Sequence, residues 1–171
     1  MSSPRYGGTV CRSGLFRSPE AASIVATITN DQEMLAAAIL HDTVEDTDVT
    51  LEQIRELFGD RVAELVQHET APLDKNLSWR ERKTIQFKQL AEAPYDSKVV
   101  ALGDKLSNMR GIAWDYRMVG DEVWKLFHAP NGKTDVEWYY RSLAEAMTEL
   151  SDTLPYQEFV DLFKEVFGET V

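Results

Sequence analysis

The sequence predicts an all-α fold, a bundle of about seven to nine helices. Two observations predict it. Helix-start signals recur along the whole chain while strand signals are scarce, and the apolar residues between those starts return at helical rather than alternating spacing.

Taken in order, Ser18 ahead of Pro19 reads as an N-cap with Pro at the first helical position, followed by the stripe Ala21, Ile24, Val25, Ile28. Asn30 with Glu33, Thr50 with Gln53, and Ser78 with Glu81 each stand three residues apart before an apolar run, the spacing of a capping box. Gly59 marks the end of the helix that Thr50 starts, and Asp60 is placed to cap the next, which carries Val62, Leu65 and Val66. Pro72 and Asn76 make Thr70 to Leu77 a loop. A charged helix is expected over 79–92 and a central one over 97–112, where Val99, Val100, Leu102, Leu106 and Met109 fall. A short helix near 121–127, the loop "HAPNGKTD", and two amphipathic helices near 135–151 and 155–167 complete the series. Residues 1–19 hold Arg5, Arg12 and Arg17, no acidic residue and three glycines, and are expected to be an irregular N-terminal segment ahead of a single domain over 20–171.

With 171 residues, 43% of them hydrophobic, the chain is long enough to bury a core without a disulfide or metal staple. Its 18 basic and 29 acidic side chains leave a net charge of −11, which argues against a surface for nucleic-acid phosphates or anionic lipid. A lone Cys11 excludes an internal disulfide, and neither a signal peptide nor a membrane-spanning run is visible. A cytoplasmic protein is the expectation.

The chemistry concentrates in "AAAILHDTVEDT", residues 36–47, where a buried-looking helix runs into His41, Asp42, Glu45 and Asp46. On a continuous helix His41 and Glu45, and likewise Asp42 and Asp46, are i,i+4 neighbours. Carboxylates this dense at a helix C-terminus repel one another and oppose the dipole, and a divalent cation relieves both. An imidazole beside a hard carboxylate suits manganese, iron or zinc better than calcium. A second polar interruption, Asp104 and Asn108 on one face of the central helix, calls for a partner of its own: a salt bridge, a hydrogen-bonded network or the same cation.

These stretches resemble the HD-type phosphohydrolases, and among them the hydrolase domain of RelA/SpoT homologues and the small alarmone hydrolases. The family's "LLHDxxEDT", "TLEEIxxxFG" and "LADKLxNMR" stand here as "ILHDTVEDT", "TLEQIRELFG" and "LGDKLSNMR". The resemblance implies an all-α HD-domain bundle and Mn²⁺-dependent removal of pyrophosphate from the 3′ position of (p)ppGpp, a small guanosine polyphosphate. It implies His41, Asp42 and Asp104 as metal ligands, Glu45 and Asp46 as the catalytic acidic pair, and Asn108 and Tyr139 as substrate contacts. Arg12 matches the first basic position of a family "RK" pair; Lys105, Arg110 and Arg141 lie where they could face a polyphosphate, and Lys75, Arg80, Arg82 and Lys83 border the loop and the charged helix, each of these cations reading singly as a solvated surface side chain. Where the family carries a further ligand His before a Pro, this chain has Ser18 in "CRSGLFRSP". Three readings follow: a metal-dependent pyrophosphohydrolase; a nucleotide-binding or regulatory protein that keeps the fold without that His; or a phosphohydrolase for another phosphorylated metabolite.

Overall fold

The computed structural model describes residues 17–70 and 76–168. Among them there is no strand; nine α-helices run α1 (Arg17–Val25), α2 (Gln32–Leu40), α3 (Thr43–Asp46), α4 (Leu51–Phe58), α5 (Asp60–Glu69), α6 (Trp79–Glu92), α7 (Tyr95–Val119), α8 (Lys133–Ala146) and α9 (Leu154–Phe167), with 3₁₀ segments at Gly120–Leu126 and Thr148–Leu150. Arg12 and most of the loop after Thr70 lie outside the described residues.

The helix ends follow their local chemistry. Thr50 with Gln53 and Ser78 with Glu81 form the expected reciprocal capping boxes. Elsewhere the caps move. The cap of α2 is Asp31 rather than Asn30, because one Asp31 carboxylate oxygen accepts from the backbone N–H groups of both Glu33 (3.0 Å) and Met34 (3.2 Å). At the α4–α5 junction Gly59, at φ +92°, is itself the capping residue. Asp60 is instead the first residue of α5, and its carboxylate meets Arg55 at 3.1 Å. Helix α1 already includes Arg17 and Ser18, so residues 17–19, expected to be irregular, are helical and Ser18 lies within the helix rather than capping it at Pro19.

Helix α7 is the axis of the molecule. It packs against α1, α2, α5 and α9, and Val99, Leu102, Leu106, Met109 and Ile112 along it are essentially inaccessible. From Ser97 to Met109 the helix is enclosed on nearly every side, so the polar side chains there must find partners inside the protein. Helices α6 and α8 pair with one another to one side of it, joined by Phe87 and Trp79 against Trp138, and α4 covers α5.

The closest approach to α7 is that of α1. A Cβ on Gly103 would stand 2.7 Å from the Ala21 carbonyl oxygen and 2.8 Å from Val25 Cγ2, so only glycine lets the two helices meet at this distance. Glu20 reinforces the contact by accepting from the Ser107 hydroxyl (2.9 Å) and from Arg110 (3.2 Å). Gly103→Ala is therefore expected to destabilise the protein by about 1–3 kcal/mol, since the obstructing atom is backbone and cannot swing aside. Equilibrium denaturation checks this; stability equal to wild type would mean the helices separate at no cost.

Candidate metal centre and its cleft

The residues 36–47 do not form one helix. Helix α2 stops at Leu40, His41 and Asp42 form a turn, and α3 starts at Thr43. The His41 ring folds back so that its Nδ1–H donates to the carbonyl of Ala38 at 2.8 Å, satisfying a helix-end acceptor. The i,i+4 pairing of His41 with Glu45 is thus replaced by a tighter arrangement. His41 Nε2 stands 3.1 Å from Asp42 Oδ2 and 3.2 Å from Asp104 Oδ1, the latter brought in by α7.

This geometry answers what the three residues can hold. Since Nδ1 carries the proton given to Ala38, the neutral ring has its lone pair on Nε2. Nε2 is buried and makes no aligned hydrogen bond, although two carboxylate oxygens lie beside it. One donor atom from each residue falls within 4.8 Å of the others. Ligands held at roughly 2.1 Å around a six-coordinate cation stand roughly 3 Å from their neighbours, the separation that His41 shows to each aspartate. Imidazole with two carboxylates is a donor set for a divalent transition metal, and these residues fit one. Without a cation a proton takes the place: burial disfavours charge on His41, but Asp104 and Asp42 outweigh it and push the imidazolium up to about 11.

Asp104 is oriented from both sides. Asn108, one turn along α7, donates to Oδ1 at 2.7 Å, while the Lys105 ammonium donates to Oδ2 at 2.6 Å. Burial works against the charge of Asp104, yet Lys105 and His41 hold its carboxyl well below the usual range. Lys105 extends to a second carboxylate, Glu69 at the end of α5, at 3.2 Å.

The centre lies in a cleft of about 410 Å³. Glu45 and Asp46 on α3 line it and are exposed, with Tyr139 buried opposite them on α8. Helix α6 supplies a further wall: Trp79, Lys83 and Gln86, spaced so that all three share one face, with Arg82 beside them. Lys83 is half-buried and has no carboxylate in ion-pair reach among the described residues; it donates to Gln86 Oε1 at 3.0 Å, and its ammonium lies 4.6 Å above the Tyr139 ring. Burial, with Lys105 nearby, pulls its ammonium down to about 8. The Tyr139 hydroxyl donates to the same Gln86 oxygen at 3.2 Å, and burial pushes that phenol up to about 12.

Other expectations fall elsewhere. Arg110 is held by Glu158 and Glu20, and Arg141 pairs with Glu137 at 3.0 Å; neither lines the cleft, because each has a carboxylate partner on its own side of the bundle. Ser18 is absent from the lining as well. His128, which reads as a surface residue, is exposed but borders the cleft beside Phe127.

An HD domain family model matches residues 15–130. The chain belongs to the HD domain family. It is 43% identical over 90 residues to the guanosine-3′,5′-bis(diphosphate) 3′-pyrophosphohydrolase of Drosophila melanogaster, a match covering 53% of this chain and 49% of that one. The human protein of the same name is 45% identical over 82 residues, 48% of this chain and 45% of its own. This HD domain chain thus spans about half the length of the curated relatives it matches. Among solved structures, a protein of Listeria monocytogenes superposes with a TM-score of 0.80 at 28% identity, covering 95% of this chain and all of that one. A second, described as a metazoan ortholog of SpoT that hydrolyzes ppGpp, gives 0.69 at 24% identity over 87% of this chain and 79% of the other, a likeness of fold.

For the metal-free HD domain, the raised His41 value sets a sign. A histidine whose folded pKa exceeds its unfolded 6.5 contributes stability that is complete below that value and is lost as pH rises toward about 11. Imidazole nitrogen NMR is expected to show His41 doubly protonated throughout the neutral range, and neutral once a divalent cation is added. A ring titrating near its ordinary value without metal would contradict the cluster.

Proposed function

We propose that this chain is a divalent-metal-dependent pyrophosphohydrolase that removes the 3′-pyrophosphate of a guanosine polyphosphate such as (p)ppGpp, with Mn²⁺ as the metal. The observation that carries this reading is the direction of His41 Nε2. A buried ring nitrogen with no aligned hydrogen bond stands between two carboxylates at the floor of a cleft whose α6 wall presents a half-buried ammonium. The names of the relatives supply the substrate class, and the cleft volume falls in the range of about 300–1,000 Å³ usual for small-molecule sites.

His41, Asp42 and Asp104 would hold the cation, which supplies Lewis acidity toward a phosphoryl oxygen and toward water. The rest is work for the chain's own side chains. Lys83 and Arg82 give the cleft the positive charge that a polyphosphate requires and that the chain as a whole lacks. Asn108 and Tyr139 border the same volume and orient the substrate, with Lys105 fixed behind Asp104. Glu45 and Asp46 face the cleft from α3, where a carboxylate can align a water and accept its proton as the water oxygen bonds to phosphorus. The bond from that phosphorus to the ribose 3′ oxygen breaks, the oxygen takes a proton, and pyrophosphate departs. Arg12 belongs to this proposal as a substrate contact, although it lies outside the described residues. Residues 20–171 form the hydrolase unit, and a cytoplasmic setting fits a chain in which no described helix is long and apolar enough to cross a membrane.

Pyrophosphate release from ppGpp with added Mn²⁺ tests the reading directly. Asp42→Ala is expected to abolish metal binding with little change in helix content, and Glu45→Ala to bind metal while losing at least about a hundredfold in kcat. Full activity in both variants would refute the assignment. Ser18→His separates the enzyme from a nucleotide-binding protein that has lost turnover: activity that appears only in this variant would mean the natural chain binds without hydrolysing.

A further inference from the structure

Asp104 carries a contradiction. As the ligand contributed by α7 it must offer negative charge to a cation, yet the neighbouring Lys105 places an ammonium 2.6 Å from its Oδ2. An ion pair this close, with side chains only 15% and 8% exposed, cancels most of the charge that the carboxylate has to give. Among the described residues, Glu69 opposes this. It reaches the same ammonium from the far side at 3.2 Å, from the last turn of α5, with its side chain 5% exposed. Burial raises the Glu69 carboxyl above its ordinary value, and the charge of Lys105 offsets that only in part, so the contact with the ammonium is what favours its ionised form.

We propose that Glu69 is a positioning residue for the metal centre: by holding Lys105 it keeps the ammonium on Oδ2, leaves Oδ1 of Asp104 facing His41, and restores the negative charge that Lys105 withdraws. The charge count supports the arrangement. Asp42, Asp104 and Glu69 set against Lys105 leave two net negative charges beside a neutral imidazole, the complement of a divalent cation. With a neutral side chain at 69, one charge would remain, and Lys105 would be free to cover both oxygens of Asp104. The periodicity of α5 marks Glu69: seven residues past Val62, four past Leu65 and three past Val66, it falls on their apolar face as a polar interruption, much as Asp104 does on α7.

The assignment rests on the metal reading given above, and its test keeps the two apart by measuring binding without nucleotide. Calorimetric titration with Mn²⁺ and the visible absorption of added Co²⁺ are the readouts, with circular dichroism and thermal melts of the metal-free proteins as the control for folding. Glu69→Gln is expected to weaken Mn²⁺ binding at least about tenfold and to alter the Co²⁺ spectrum. Adding Lys105→Met in the same chain is expected to bring affinity back to within about threefold of wild type, since the surplus cation leaves together with its counter-charge. A merely structural role for Glu69 would not be rescued in this way. Should Glu69→Gln alone not fold, the double variant decides: binding near that of wild type supports the inference, and a tenfold loss overturns it. Unchanged affinity in Glu69→Gln, or no rescue by Lys105→Met, overturns the Glu69 assignment alone. A wild-type chain that binds neither ion overturns the metal reading along with it.

Discussion

A carboxylate buried in the middle of the central helix is the constraint from which the rest of the site follows. Asp104 sits on α7 among side chains that are almost wholly inaccessible, and an unpaired charge there would cost several kcal/mol. The protein answers from four directions, with His41 from the α2 terminus, Asn108 from one turn along α7, Lys105 beside it, and Glu69 behind Lys105. Each answer also settles something about the chemistry. Asn108 and Lys105 take up one oxygen each, so the carboxylate cannot rotate, and the Ala38 carbonyl selects the histidine tautomer that leaves Nε2 bare.

Two charge regimes therefore share one cleft. The floor is acidic and fits a small dication, while α6 contributes Lys83, an ammonium with an amide and an aromatic face for company rather than a carboxylate. A ligand with several phosphate groups can satisfy both regimes at once, its oxygens meeting the cation at one end and the α6 wall at another. The proposed anionic substrate is thereby compatible with a chain of net charge −11, because the field that matters is that of the cleft rather than of the whole surface.

Much of this architecture was legible in the residues, and the misses have physical causes. Capping boxes at Thr50 and Ser78 could be read because both halves of each motif are local. Asn30 misled because Asp31, the next residue along, is an equally good cap, and a one-residue choice depends on the chain's entry angle. The convergence of His41, Asp42 and Asp104 was visible as polar interruptions in apolar runs, whereas the turn at His41 was not, since it depends on a side chain reaching back to Ala38. Lys83 and His128 look like surface residues by composition; only the pairing of α6 with α8 and the course of the chain after the 3₁₀ segment bring them to the cleft. Tertiary placement of this kind leaves no periodic trace.

One consequence of the seating of α1 remains. Gly103, which lets α1 ride directly on α7, is the residue immediately before Asp104, so the helix–helix contact and the ligand share a peptide bond. The seating of α1 and the position of the carboxylate are thus fixed by adjacent, tightly packed backbone that has little compliance. The first helix is in that sense part of the scaffold that fixes where the α7 carboxylate stands.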